Sequence, residues 1–148
     1  MVEIKHLSIT VKNPETAAKA LAEMTGGKPH EFRTKNMVGA WVCIWDEKTN
    51  HLIEFLPDSY LMHPTETGAN FRKLDIGLSF NSSHFQLEVK TPLSDIKAIA
   101  NRYSFHHYFR PRQGGPLYEV WFEDQFLVEF VSDEIRALVD VPAAVNVQ

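Results

Sequence analysis

The chain of 148 residues holds a single cysteine, Cys43, so an intramolecular disulfide is impossible and a reducing environment is expected. It also lacks a basic excess: fifteen Lys and Arg stand against nineteen Asp and Glu, for a net charge of −4, with neither sign gathered into a block. A phosphate backbone needs a clustered basic footprint, so no nucleic-acid partner is expected. Nowhere do 18 apolar residues run together, and the opening MVEIKHLSIT has no basic stretch leading into an apolar one. Neither a membrane span nor a secretory leader is therefore expected, and the expected location is the cytoplasm. The sequon Asn81-Ser82-Ser83 would be idle there.

What the chain does contain is a repetition. The segment HLSITVKNP from His6 returns as HFQLEVKTP from His84. His6, Val11, Lys12, Pro14, Lys19, Ala20 and Ala22 recur as His84, Val89, Lys90, Pro92, Lys97, Ala98 and Ala100, at an offset of 78 (84 minus 6). Further on, Leu52-Ile53-Glu54-Phe55 returns as Leu127-Val128-Glu129-Phe130, at an offset of 75 (129 minus 54). Shorter turns in the second copy account for the difference. Two copies of this length are too few for a solenoid and point to a duplicated module.

Each copy reads as strand, helix, strand, strand, strand. Between residues 3 and 11 apolar Leu7, Ile9 and Val11 alternate with His6, Ser8 and Thr10, the period of a half-buried strand. Asn13-Pro14-Glu15 opens a helix with Asn13 as its cap; Ala17, Ala20, Leu21 and Met24 form the packing stripe, and Gly26-Gly27 ends it. Strands follow near 30–33, 38–46 and 51–56. In the second copy a strand near 84–89 and a helix from Pro92 to about Tyr103 precede strands near 106–110, 117–123 and 125–131. The expected organisation is one domain: module 1 at 4–56, a crossover at 57–80, module 2 at 83–132 and a tail at 133–148. The crossover is too long for an ordinary connection and reads as an irregular lid or linker. In the tail, DEIRALVDV is expected to form one short helix.

Chemistry concentrates at the echoes. Alternation places His6, Ser8 and Thr10 on one face of the first strand, and His84, Gln86 and Glu88 on the matching face of its copy, opposite purely apolar faces. Glu54 interrupts an apolar run, as does Glu129, and a carboxylate there is costly to bury unless it is paired or bound to a cation. If the copies face one another about a pseudo-twofold axis, two imidazoles and two carboxylates converge, a donor set suited to Zn, Ni, Fe or Mn. Other readings compete at other positions. His106 and His107 are neighbours on a strand, so at most one faces such a site. Arg110 and Arg112, ahead of Gly114 and Gly115, read as an anion grip or as a solvated hairpin. Trp41 and Trp45, on one strand face with Cys43, line an apolar pocket or belong to the core, as does Trp121.

With duplicated order and ligand placement in hand, the chain resembles the vicinal oxygen chelate superfamily, which includes glyoxalase I, extradiol dioxygenases, fosfomycin-resistance enzymes and bleomycin-resistance proteins. The resemblance covers residues 4–131. It implies an α+β fold in which two βαβββ modules form a cup-shaped, partly closed eight-stranded sheet around a divalent metal ion. It implies His6, Glu54, His84 and Glu129 as metal ligands, Glu54 and Glu129 as the proton-moving pair, and a pocket that includes Ser8, Thr10, Gln86, Glu88, Trp41, Trp45 and Arg110. The implied activity is that of a glyoxalase-like lyase or isomerase on a small oxygen-chelating substrate such as a hydroxy carbonyl compound. The alternative is a metal-free binding or sequestration protein of the same fold. A homodimer is implied as well. Thr10 stands where glutathione-dependent glyoxalases have an arginine, which argues against glutathione.

Overall fold

The computed structural model describes residues 4–34, 36–49, 51–66, 68–75, 84–111 and 115–138. The chain divides into two compact units, Met1–Ser79 and Phe80–Gln148. No helix among the described residues is long and apolar enough to cross a membrane.

In the first unit the alternating segment forms β1 (His6–Val11), and α1 (Pro14–Thr25), β2 (Lys28–Thr34), β3 (Met37–Asp46) and β4 (His51–Pro57) follow. The strands lie in the order β1-β4-β3-β2, with β1 parallel to β4 and the other pairs antiparallel. A parallel neighbour cannot be reached by a tight turn, which is why a helix intervenes. Asn13 caps α1 as expected, its side chain accepting from the Thr16 amide at 3.2 Å, and Gly26 ends the helix in the left-handed region at φ 75°. Ala17, Ala20, Leu21 and Met24 are all buried. Gly27 is required by closeness: a Cβ there would lie 2.5 Å from Cys43 Sγ and 3.2 Å from Trp45 Nε1.

The crossover differs from the irregular segment expected. It contains a hairpin, β5 (Tyr60–Thr65) and β6 (Gly68–Lys73), whose Tyr60 and Phe71 pack with Phe32 against Met37, Ala40 and Leu56. Pro64 hid it in the sequence, because a proline is tolerated in a strand only at an edge, and a two-stranded sheet is all edge.

The second unit repeats the first. It runs β7 (His84–Glu88), α2 (Leu93–Arg102), β8 (His106–Arg110), β9 (Leu117–Phe122) and β10 (Phe126–Val131), in the sheet order β7-β10-β9-β8. The fold is thus α+β with two βαβββ modules, whose eight strands hydrogen-bond as two sheets of four. Cross-strand partners follow the sequence echo: Ser8 opposes Glu54 in one sheet, and Gln86 opposes Glu129 in the other. The tail forms α3 (Asp133–Ala137), capped by Ser132, with Ile135 fully buried. Glu134 on α3 accepts from the Leu93 amide at 2.8 Å and so supplies the N-terminal cap that Pro92 does not. Arg112, Gly114, the sequon and residues 139–148 lie outside the described residues.

Candidate functional site

Residues directly opposite on paired strands share a face, so the register assigns every side chain to a layer. In the first sheet one rung runs Ser8, Glu54, Val42, His30, and the next runs His6, Leu52, Ile44, Lys28. His6 and Glu54 are therefore diagonal neighbours on one face, with Thr10 further along it. The Ser8 hydroxyl donates to Glu54 Oε2 at 2.5 Å. His6 and Ser8 are exposed, while Glu54 and Thr10 are half-buried.

The opposite face packs on α1, and it holds Trp41 and Trp45. Trp41 opposes the fully buried Phe55 and lies under Lys19 of α1, whose Nζ is 5.5 Å from the ring centroid. Trp45 Nε1 donates to Thr25 Oγ1 at the end of α1, at 2.9 Å. The expectation that these two line the pocket of Glu54 is thus corrected, although neither is a core residue: Trp41 is half-buried and Trp45 is 37% exposed. They share a face with each other, but it is the helix-covered one. Cys43 lies between them, and burial pushes its thiol up to about 12, so no thiolate nucleophile is available near neutrality.

The second sheet carries the same design. One rung runs Gln86, Glu129, Glu119, Tyr108, and its neighbour runs His84, Leu127, Trp121, His106. His84 and Glu129 repeat the diagonal of His6 and Glu54. Glu88 shares this side of β7 but is tied to Arg136 of α3 at 2.9 Å, and that hydrogen bond holds its carboxyl below the usual range. His107 takes the other face, its Nδ1 meeting the Tyr118 hydroxyl at 2.5 Å and its Nε2 meeting Asn101 of α2 at 3.0 Å.

One residue on the polar face escaped the sequence reading. Glu119 is only 2% exposed and accepts from Arg110 Nε and, at 3.1 Å, from Trp121 Nε1. Burial pushes its pKa up, but the hydrogen bonds from Arg110, Trp121 and Tyr108 outweigh this and hold it below the ordinary carboxylate range. The signal that marked Glu54, a carboxylate inside an apolar run, was present in LYEVWF too. Arg110 therefore lies on the polar face, held by an internal acid.

Within either unit the described residues gather no three His, Cys, Asp or Glu side chains into a metal-holding group. His6 with Glu54, and His84 with Glu129, each set an imidazole and a carboxylate as diagonal neighbours on one sheet face, donor types that a borderline divalent ion accepts.

No family model and no curated protein matches the chain. Solved structures do. A glyoxylase/bleomycin resistance protein/dioxygenase domain from Frankia sp. EAN1pec is similar at a TM-score of 0.58 and 11% identity, over 88% of this chain and 96% of that one. The chain has the vicinal oxygen chelate fold. The fosfomycin resistance protein FosX from Mesorhizobium loti shares that fold at a TM-score of 0.53 and 10% identity, covering 88% of this chain and 92% of its own. FosX from Listeria monocytogenes, as a mutant complexed with Mn(II) and dihydroxypropylphosphonic acid, shares it at 0.52 and 13%, over 88% and 89%.

Proposed function

We propose that the chain is a divalent-metal-dependent enzyme of glyoxalase type, an isomerase or lyase for a small substrate that chelates through neighbouring oxygens. The observation that carries this is the His–Glu diagonal found twice in equivalent register, His6 with Glu54 and His84 with Glu129. A bound Zn, Ni, Fe or Mn ion would supply Lewis acidity toward a substrate oxygen. Glu54 and Glu129 would move the proton, with Ser8 steering one oxygen of Glu54 and Gln86 standing at the matching place beside Glu129. The Mn(II) and vicinal diol held by the Listeria protein support this substrate class. Pairing of the two modules, a homodimer and a cytoplasmic location belong to the same proposal.

The test is metal content and affinity in the wild type and in H6A, E54Q, H84A and E129Q. Each change should weaken binding at least about tenfold, since even outer partners of a metal ligand matter by that much. E88Q, whose carboxylate Arg136 already engages, should keep its metal. Equal metal content in all five would end the proposal and leave the metal-free binder.

A further inference from the structure

The second unit carries an open groove of ≈ 250 Å³ lined by His106, Tyr108, Trp121 and Asp124. His106 and Trp121 oppose one another across β8 and β9, one rung from Tyr108 and Glu119. Asp124 projects from the β9–β10 turn, where it adopts φ 58°. The donors lining this groove are already engaged. Trp121 Nε1 points to the Tyr108 hydroxyl and to Glu119, each at 3.1 Å, and the Tyr108 side chain is itself hydrogen-bonded to Glu119. His106 Nδ1 meets Asp124 Oδ1 at 2.5 Å. A carboxylate only accepts, so Nδ1 carries a proton, and in the tautomer with that proton alone Nε2 is an acceptor. Two aromatic walls, an imidazole acceptor and the outer oxygen of Asp124 are what a ligand would meet. The charge balance is negative: Arg110, whose Cζ lies 5.8 Å from the Tyr108 ring centroid, is matched by Glu119, whereas among the described residues Asp124 is paired with the imidazole alone.

We propose that this groove binds a planar nitrogen cation, an amidinium or guanidinium group, which stacks on the aromatic walls and donates N–H to Asp124 and His106. Cations are drawn to the indole face, and the fork of donors on such a group matches a carboxylate. The volume is below the 300–1,000 Å³ usual for a complete ligand site, so it takes one end of a larger molecule. That end would be the distal part of the substrate, since the groove shares the face of Glu129. The inference rests on the proposed function for this placement alone.

The experiment uses the full chain, labelled with 15N and stripped of metal by EDTA, with benzamidine as the probe and benzoate as its control. Indole N–H resonances are followed, and W121F assigns the signal of Trp121. Benzamidine should shift that signal saturably and leave those of Trp41 and Trp45 in place, while benzoate at equal concentration should not. D124N should weaken benzamidine at least about tenfold, the worth of a charge-assisted bond. Asn accepts positive φ readily and still accepts from His106, so the fold should persist, as the amide spectrum would show. If it does not, H106A takes its place, with an expected loss of about threefold. Equal shifts with benzamidine and benzoate, or unchanged affinity in the folded variant, would overturn the inference. Because no metal is present, this result and the metal-content test fail independently.

Discussion

Replacing Arg110 by Leu removes the cation beside Glu119 and keeps most of the bulk of the side chain. The carboxylate is then left 2% exposed with only Trp121 and Tyr108 as donors. Breaking a fully buried pair costs about 3–5 kcal/mol, and an exposed one about 0.2–1 kcal/mol. The Arg110 side chain is 49% exposed and that of Glu119 is 3% exposed, so solvent screens one partner only. A loss of about 2 kcal/mol at pH 7 follows, or about 4–8 °C in Tm for a chain of this length. The pH dependence gives the sharper check. In the wild type the lowered pKa of Glu119 contributes stability that is present above its unfolded value, near 4.5, and is lost as pH falls through the folded value. Without Arg110, burial is the largest remaining influence and raises the pKa. The penalty in R110L should then be largest at neutral pH and should shrink as acid protonates the stranded carboxylate. Urea unfolding of wild type, R110L, E119Q and the double variant between pH 4 and pH 7.5 measures both quantities. Adding E119Q to R110L should recover most of the loss, because an amide has no charge to strand. A loss in R110L below about 0.5 kcal/mol, or one that does not vary with pH, refutes the reasoning.

Gly27→Ala forces a methyl against Cys43 and Trp45 and should cost about 1–3 kcal/mol by thermal unfolding, part of which the additional change Cys43→Ala restores. Asn13→Ala removes the α1 cap and should cost about 1 kcal/mol in the same assay, while Asn13→Ser should cost little. His107 is held below its ordinary value by burial, then by the nearby charges of Lys97 and His106. Its contribution to stability is thus complete above pH 6.5 and lost as pH falls through the folded value, so His107→Gln should flatten stability against pH just below 6.5.

The duplication was legible because both copies satisfy the same local rules. Alternation in HLSITV and HFQLEV, and the Asn13-Pro14 start of α1, are short-range signals that need no partner to be read. Equivalent register in the two sheets then follows from equivalent apolar faces, since a slip of one residue would turn every side chain over. The β5–β6 hairpin was illegible for the converse reason: besides Leu56, its Tyr60 and Phe71 pack against Met37 and Ala40, which are distant in sequence.

The sequence by itself determined the module order, the caps of α1 and which residues share a strand face, because periods of 2 and 3.6 and local capping chemistry act within a few residues. It also singled out His6, Glu54, His84 and Glu129. Only the tertiary structure placed Trp41 and Trp45 on the face that α1 covers, with Trp45 still 37% exposed, while leaving His106 on the polar side of its sheet. It alone supplied Arg110 to the buried Glu119, and Arg136 to Glu88. A strand's period labels two faces without ranking them. The layer that packs on each, and the charge that arrives from another strand or helix, is set by register and docking across long sequence separations.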